Sequence, residues 1–168
     1  MLRYLVLILI PYLSIFFETT FLGFYPVMGS IPDLVLLFVV FYAILNGSEK
    51  GAVYGFLCGL FKDLYLGRFI GLNAVSLALV ALIVGRWEPK VYKENFMVGL
   101  IVAIAGTAAN AILVFLFMVM ARGDTGGAIV IFTGLPGQII YNAILSIPLY
   151  VWYYRSSRKG ILRLSNKR

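Results

Sequence analysis

The sequence predicts an all-α fold, a compact bundle of six transmembrane helices, from three observations. Of the 168 residues, 62% are hydrophobic and 12% are charged, whereas soluble domains average about 45–50% apolar and about 25% charged residues. The hydrophobic residues form six segments separated by short stretches that contain glycine, proline or charge. In one segment, glycine recurs every four residues, a spacing that lets membrane helices approach closely.

The six segments predict one transmembrane domain over residues 1–154 and a basic tail over 155–168. The expected spans are 4–21, 32–45, 51–66, 69–85, 96–121 and 138–154. The fifth can cross a hydrocarbon core of about 30 Å with tilt, whereas the second and third are short or interrupted. Short spans are tolerated where protein surrounds them, so we expect helices two and three to be partly shielded. Residues 128–135 could be a re-entrant piece or the start of a helix broken at Pro136.

The distribution of lysine and arginine predicts that both chain termini are cytoplasmic. With six spans and the N-terminus inside, the inside segments carry 11 of the 14 basic residues and the outside segments carry 3. The net charge of +7 is concentrated near the C-terminus, where six basic residues occupy the last fourteen positions. A basic tail after a span indicates a topology signal and contact with membrane lipids, not nucleic-acid binding.

The chain lacks the side chain that metal sites and general bases use most often. It has no histidine, which is the commonest metal ligand and general base, and its one cysteine lies in an apolar segment. No sequence motif for a zinc protease, a serine hydrolase or a phosphate-binding loop is present. We therefore expect no catalytic residue, no cofactor and no metal, and an intramembrane enzyme is the least favoured hypothesis.

The glycine ladder lies in the third segment and ends at an acid. Gly51, Gly55 and Gly59 form overlapping G-x-x-x-G steps, which predict close helix packing against a partner inside this chain or in another protein. Asp63 follows one step later, beside Lys62. Ionisable residues in a membrane are costly and are often functional. Asp63 could equally end its helix by pairing with Arg68 or by capping the next turn, with Glu18 as a possible neighbour.

Other polar residues have structural or binding roles that the sequence leaves open. Pro32 and Asp33 suit the first turn of helix two, with Ser30 as a candidate cap. A further set could form interhelical hydrogen bonds or line a small-molecule pocket among helices four, five and six. The members of this set are Asn73, Asn110, Gln138 and Asn142.

The central third of the chain resembles the rod shape-determining protein MreD family. The motifs that carry the resemblance are Pro32-Asp33-Leu34, then Gly55-Phe56, Gly59-Leu60 and Asp63-Leu64 at fixed spacing, then Gly71-Leu72-Asn73-Ala74. Length and the six-span plan agree with this family over the rest of the chain. The resemblance implies structural roles for Pro32, Asp33, Asp63, Gly71 and Asn73.

The resemblance also implies a non-enzymatic scaffold of the cell-elongation machinery in the bacterial inner membrane. Such a protein would bind the transmembrane helix of MreC and help to regulate peptidoglycan synthesis and cell shape. MreB, RodA and a class B penicillin-binding protein would belong to the same assembly. The family is similar in fold to the substrate-binding subunits of energy-coupling-factor transporters. The alternative is therefore a vitamin-binding transporter subunit, although helix one lacks the small-residue motif by which such subunits dock.

Overall fold

Among the residues that the computed structural model of the chain describes, the regular elements are all helices. The structure describes the backbone of residues 2–67, 70–122 and 125–159, and the side chains of 5–67, 70–120 and 131–157. Short 3-10 turns at Leu22–Phe24 and Glu88–Lys90 lie in two of the connections. The described residues form six helices, the expected number: α1 Leu2–Thr20, α2 Leu34–Asn46, α3 Ser48–Leu66, α4 Leu72–Gly85, α5 Phe96–Arg122 and α6 Thr125–Lys159.

Helix α2 occupies the centre of the bundle. All its residues from Leu34 to Ile44 are buried, and it contacts each of the other five helices. A helix that is apolar on every side belongs in a core. With 13 residues, α2 is only about 20 Å long. It is surrounded by protein, which agrees with the expectation that this short segment is shielded.

One face of α3 consists of glycine and packs directly on α2 and α4. A Cβ atom on Gly51 would lie 2.6 Å from the Cβ of Ala43 in α2. A Cβ atom on Gly55 would lie 2.7 Å from the carbonyl oxygen of Leu77 in α4, and Gly59 lies equally close to the start of α4. No side chain fits in these contacts, so the three glycines allow the backbones to meet. The partners of this glycine face are therefore helices of the same chain.

Helix α6 begins earlier than the predicted sixth span. It runs from Thr125 to Lys159 with Pro136 and Pro148 inside it, so residues 128–135 belong to this helix and do not form a separate element. Pro136 and Gly137 thus do not end the helix. A Cβ atom on Gly134 would lie 2.6 Å from Ser30 Oγ in the α1–α2 loop. Gly134 therefore permits close contact with this loop. Composition alone does not distinguish a glycine that permits such a contact from a glycine that breaks a helix.

Three helical stretches are long and apolar enough to cross a membrane. They are Leu5–Phe24, Leu72–Lys90 and Phe96–Met120, judged by length and composition over the described residues. Of the predicted basic tail, 155–159 continue α6, and 160–168 lie outside the described part of the chain.

Candidate functional site

Four charged side chains gather where α1 and α3 end and α2 and α4 begin, which we call the capped end of the bundle. Glu18, Asp33 and Asp63 are 6%, 4% and 1% exposed, and the side chain of Lys62 is 14% exposed. Burial of a charge is costly unless the charge is paired or hydrogen-bonded. The partners of each group therefore indicate what the capped end does.

Two of these carboxylates satisfy the first backbone amides of α2. Asp33 is the N-cap residue, and its Oδ1 accepts a hydrogen bond from the Leu36 N–H at 2.9 Å. Oε1 of Glu18 accepts from the N–H groups of Leu34 at 2.5 Å and Val35 at 3.1 Å. The first turn of a helix leaves amides without helical acceptors, and α2 is buried from its first residue. The positive end of the helix dipole further stabilises the two acids.

The start of α2 differs in detail from the expectation. Pro32 precedes the N-cap instead of lying in the first turn, because the charged Asp33 side chain is the acceptor that caps the helix. Ser30, the expected candidate cap, instead donates its hydroxyl to the carbonyl of Gly134 at 2.6 Å. It therefore fixes the α1–α2 loop to α6.

Lys62 brings a positive charge from α3 to the start of α2. Its Nζ lies 2.5 Å from Oδ2 of Asp33, a carboxylate that also caps the helix. Lys62 and Asp63 are neighbours in a helix and so point about 100° apart. The two side chains consequently serve different helices, Lys62 reaching α2 and Asp63 reaching α4.

Asp63 holds the connection between α3 and α4. Its carboxylate accepts hydrogen bonds from the backbone N–H groups of Gly71 at 2.9 Å, Asn73 at 3.1 Å and Ala74 at 3.0 Å. The side-chain amide of Asn73 donates a fourth at 2.7 Å. Gly71 has φ of +103°, a left-handed conformation that favours glycine. Arg68, the other partner considered for Asp63, lies outside the described residues.

A second set of polar groups links α5 and α6 to the same end. Oδ1 of Asn142 accepts from the backbone N–H of Asp33 at 2.9 Å, and its Nδ2 donates to Thr107 Oγ1 at 2.9 Å. Separately, the Ser76 hydroxyl donates to Oδ1 of Asn110 at 2.8 Å, which joins α4 to α5. All these groups are buried, so each bond satisfies polar atoms that water would otherwise hydrate.

In the structure, the polar residues that were candidates for one pocket instead form hydrogen bonds with different partners. Asn73 is bonded to Asp63, Asn110 to Ser76, and Asn142 to Thr107 and Asp33. Gln138 is half-buried on α6, one turn before Asn142. A cavity of about 850 Å³ does occur, but it lies between α1 and α3.

The sequence assigns no role to two members of the capped end, Glu18 and Lys62. The sequence predicts Glu18 only as a possible neighbour of Asp63, whereas in the structure its carboxylate accepts hydrogen bonds from α2 and lies near Lys62 and Asp33. The available signal was a lone acid near the end of an apolar helix, which must find donors when buried. The sequence does not predict that the end of α1 packs on the start of α2.

The acids of the capped end serve to cap the N-termini of helices. Each of its three acids accepts backbone amides from a helix that begins there. Within the described part of the chain, no three His, Cys, Asp or Glu side chains are grouped so that they could hold a metal ion. The arrangement therefore fixes the relative positions of α1, α2, α3 and α4.

Comparison with known proteins identifies the family. The family model of rod shape-determining protein MreD matches residues 1–159, nearly the whole chain. No curated protein and no solved structure matches the chain. The matched family is a structural, shape-determining family of membrane proteins, and the long apolar helices fit this character. The chain therefore belongs to the rod shape-determining protein MreD family and has a role in rod-shape determination.

Proposed function

We propose that this protein is a non-enzymatic scaffold that binds the transmembrane helix of MreC and helps to regulate peptidoglycan synthesis during cell elongation. The observation that carries the proposal is the family match over residues 1–159. MreB, RodA and a class B penicillin-binding protein are the further proposed members of the assembly. The site of action would be the bacterial inner membrane.

The packing of the bundle supports a role as a scaffold. Its central helix is enclosed, and the start of that helix is held by hydrogen bonds from three other helices, α1, α3 and α6. The remaining faces carry large exposed apolar side chains on α1, α4 and α5, which suit contact with lipid or with another membrane helix. Because the glycine face of α3 is filled by α2 and α4, we propose that a partner helix binds one of these other faces.

The proposed topology has six membrane helices and both termini in the cytoplasm. The proposal rests on the excess of basic residues in the segments assigned to the inside. It places the capped end on the outer side, where α3 ends and α4 begins. We also propose that this arrangement of six helices is similar to that of the substrate-binding subunits of energy-coupling-factor transporters.

The test is co-purification of the tagged chain from its native membrane in mild detergent, with mass spectrometry of everything that stays bound. Recovery of a single-span MreC-like protein in roughly equal amount supports the scaffold. Recovery of an ATPase with its coupling subunit contradicts it and supports the alternative, a small-molecule-binding transporter subunit. Fusions of a reporter to each terminus would test the topology in the same cells.

A further inference from the structure

The cavity between α1 and α3 is a groove. Charged side chains line its opening, and apolar side chains line most of the rest of it. Its volume of about 850 Å³ lies within the range of about 300–1,000 Å³ that is typical of ligand sites. Glu49 and Lys50, both exposed, line it at the start of α3. From there to Phe61, α3 rises about 18 Å. At that far end, the rings of Tyr12 and Phe61 meet edge to face at 6.5 Å.

The polar groups on the floor of the groove form their hydrogen bonds within the protein. Pro11 has no N–H, so the carbonyl of Leu7 four residues earlier loses its helical donor. The hydroxyl of Tyr54 supplies the missing hydrogen bond at 3.0 Å. The ring of Tyr54 packs on Tyr42 with centroids 4.5 Å apart. The floor thus presents aromatic and apolar surface, and the charges lie only at the opening.

We propose that this groove binds one phospholipid whose headgroup carries a phosphate and a primary amine, as in phosphatidylethanolamine. Lys50 would contact the phosphate and Glu49 the ammonium, because the opening presents one base and one acid side by side. An acyl chain would lie along Val53, Leu57 and Phe61. A purely anionic headgroup would meet the carboxylate of Glu49, and a quaternary ammonium has no N–H to donate to it. A headgroup with a phosphate and a primary amine therefore complements the pair best.

A second membrane helix fits the groove less well than an acyl chain. Membrane helices pack closely where small residues line the contact, and the small face of α3 is already filled by α2 and α4. The wall that α3 presents to the groove is bulky and uneven, with Val53, Tyr54 and Leu57 in succession. A flexible chain can follow such a surface without needing a flat, small-residue seam.

Photo-crosslinking with a benzophenone amino acid tests the proposal. The full chain with this residue at Leu57 is purified, stripped of lipid, and placed in micelles with equal amounts of phosphatidylethanolamine, phosphatidylglycerol and phosphatidylcholine. Ile112 on α5 is the matched control position, since both side chains are exposed and apolar, at 57% and 54%. Intact-mass measurement then identifies the lipid attached to each variant.

At position 57 we expect phosphatidylethanolamine adducts to exceed those of either other lipid about tenfold, a difference that two charge-assisted contacts can supply. Position 112 should show no such preference. Glu49→Lys should shift the preference at 57 to phosphatidylglycerol, and Glu49→Gln should weaken it. Equal lipid distributions at 57 and 112, a wild-type preference for phosphatidylglycerol, or no adduct at 57 would overturn the proposal. Crosslinking at 57 to a single-span protein in native membranes would also overturn it, and would assign the groove to a protein partner instead.

Discussion

Helix α3 packs tightly on one side and leaves a cavity on the other, within a single helix of 19 residues. On the packed side, Gly51, Gly55 and Gly59 bring its backbone against α2 and α4. On the open side, Val53 and Leu57 are 63% and 57% exposed and face the groove toward α1. The two sides differ in side-chain size more than in polarity.

The difference shows what holds helices together when water is not the solvent. Large apolar side chains contribute little to helix association in lipid, because the lipid solvates them as well as another helix does. Close approach of backbones gains dispersion contacts that lipid cannot match. The smallest residues of α3 therefore mark its strongest contacts, and the largest mark a surface that remains open to a ligand. Four substitutions test this comparison.

The largest effect is expected from Gly55→Leu on the packed side. The new side chain would begin 2.7 Å from the Leu77 carbonyl oxygen and 3.1 Å from Val39, so α3 and α4 must separate. We expect a loss of about 3 kcal/mol or more in the free energy of unfolding, at or above the upper range for overpacked cores. Denaturation in mixed micelles measures this loss. The control is Val53→Leu on the open side, which should change stability little. Normal stability and partner capture by Gly55→Leu would refute the packing assignment.

An effect of similar size is expected from Lys62→Met at the capped end. The substitution leaves the buried carboxylate of Asp33 without its ammonium partner. Breaking a buried ion pair by removing one partner typically costs about 3–5 kcal/mol. The exposed Lys90→Met, outside the proposed lipid groove, is the control and should cost little.

The double variant Lys62→Met with Asp33→Asn distinguishes lost pairing from lost packing. If the cost arises from the unpaired charge, the double variant should recover part of the stability that Lys62→Met loses. No recovery would mean that the lysine stem, and not its charge, stabilises the capped end.

The capped end and the glycine face also differ in how far sequence could predict them. The glycine ladder is visible as a spacing within one helix, so Gly51, Gly55 and Gly59 could be selected without a structure. The contact of Glu18 with the start of α2 joins residues on two helices across a loop. No local pattern encodes it, because it depends on where α1 ends relative to α2. For the same reason, the bonds of Asn110 and Asn142 could be expected in kind but not assigned to partners.

A smaller effect is expected from Asp63→Asn. The aspartate accepts four hydrogen bonds, whereas an asparagine has one acceptor oxygen and turns an NH₂ group toward the same donors. Leaving buried donors unsatisfied costs about 1–3 kcal/mol. Hydrogen exchange at the amides of Gly71 and Ala74 should accelerate together with this loss of stability. Glu49→Gln, an exposed acid on the same helix, is the control, and unchanged exchange at Gly71 would contradict the assigned role.

The smallest effect is expected from Tyr54→Phe, on the floor of the open side. The change removes only the hydroxyl that donates to the Leu7 carbonyl, a group left without a helical donor by Pro11. We expect a cost of about 1 kcal/mol in wild-type background. In a Pro11→Ala background, the new backbone N–H at position 11 can satisfy Leu7, so Tyr54→Phe should cost less. The double-mutant cycle should give a coupling of about 0.6 kcal/mol, the average for membrane helices. Additive costs would mean that the hydroxyl and the proline act independently.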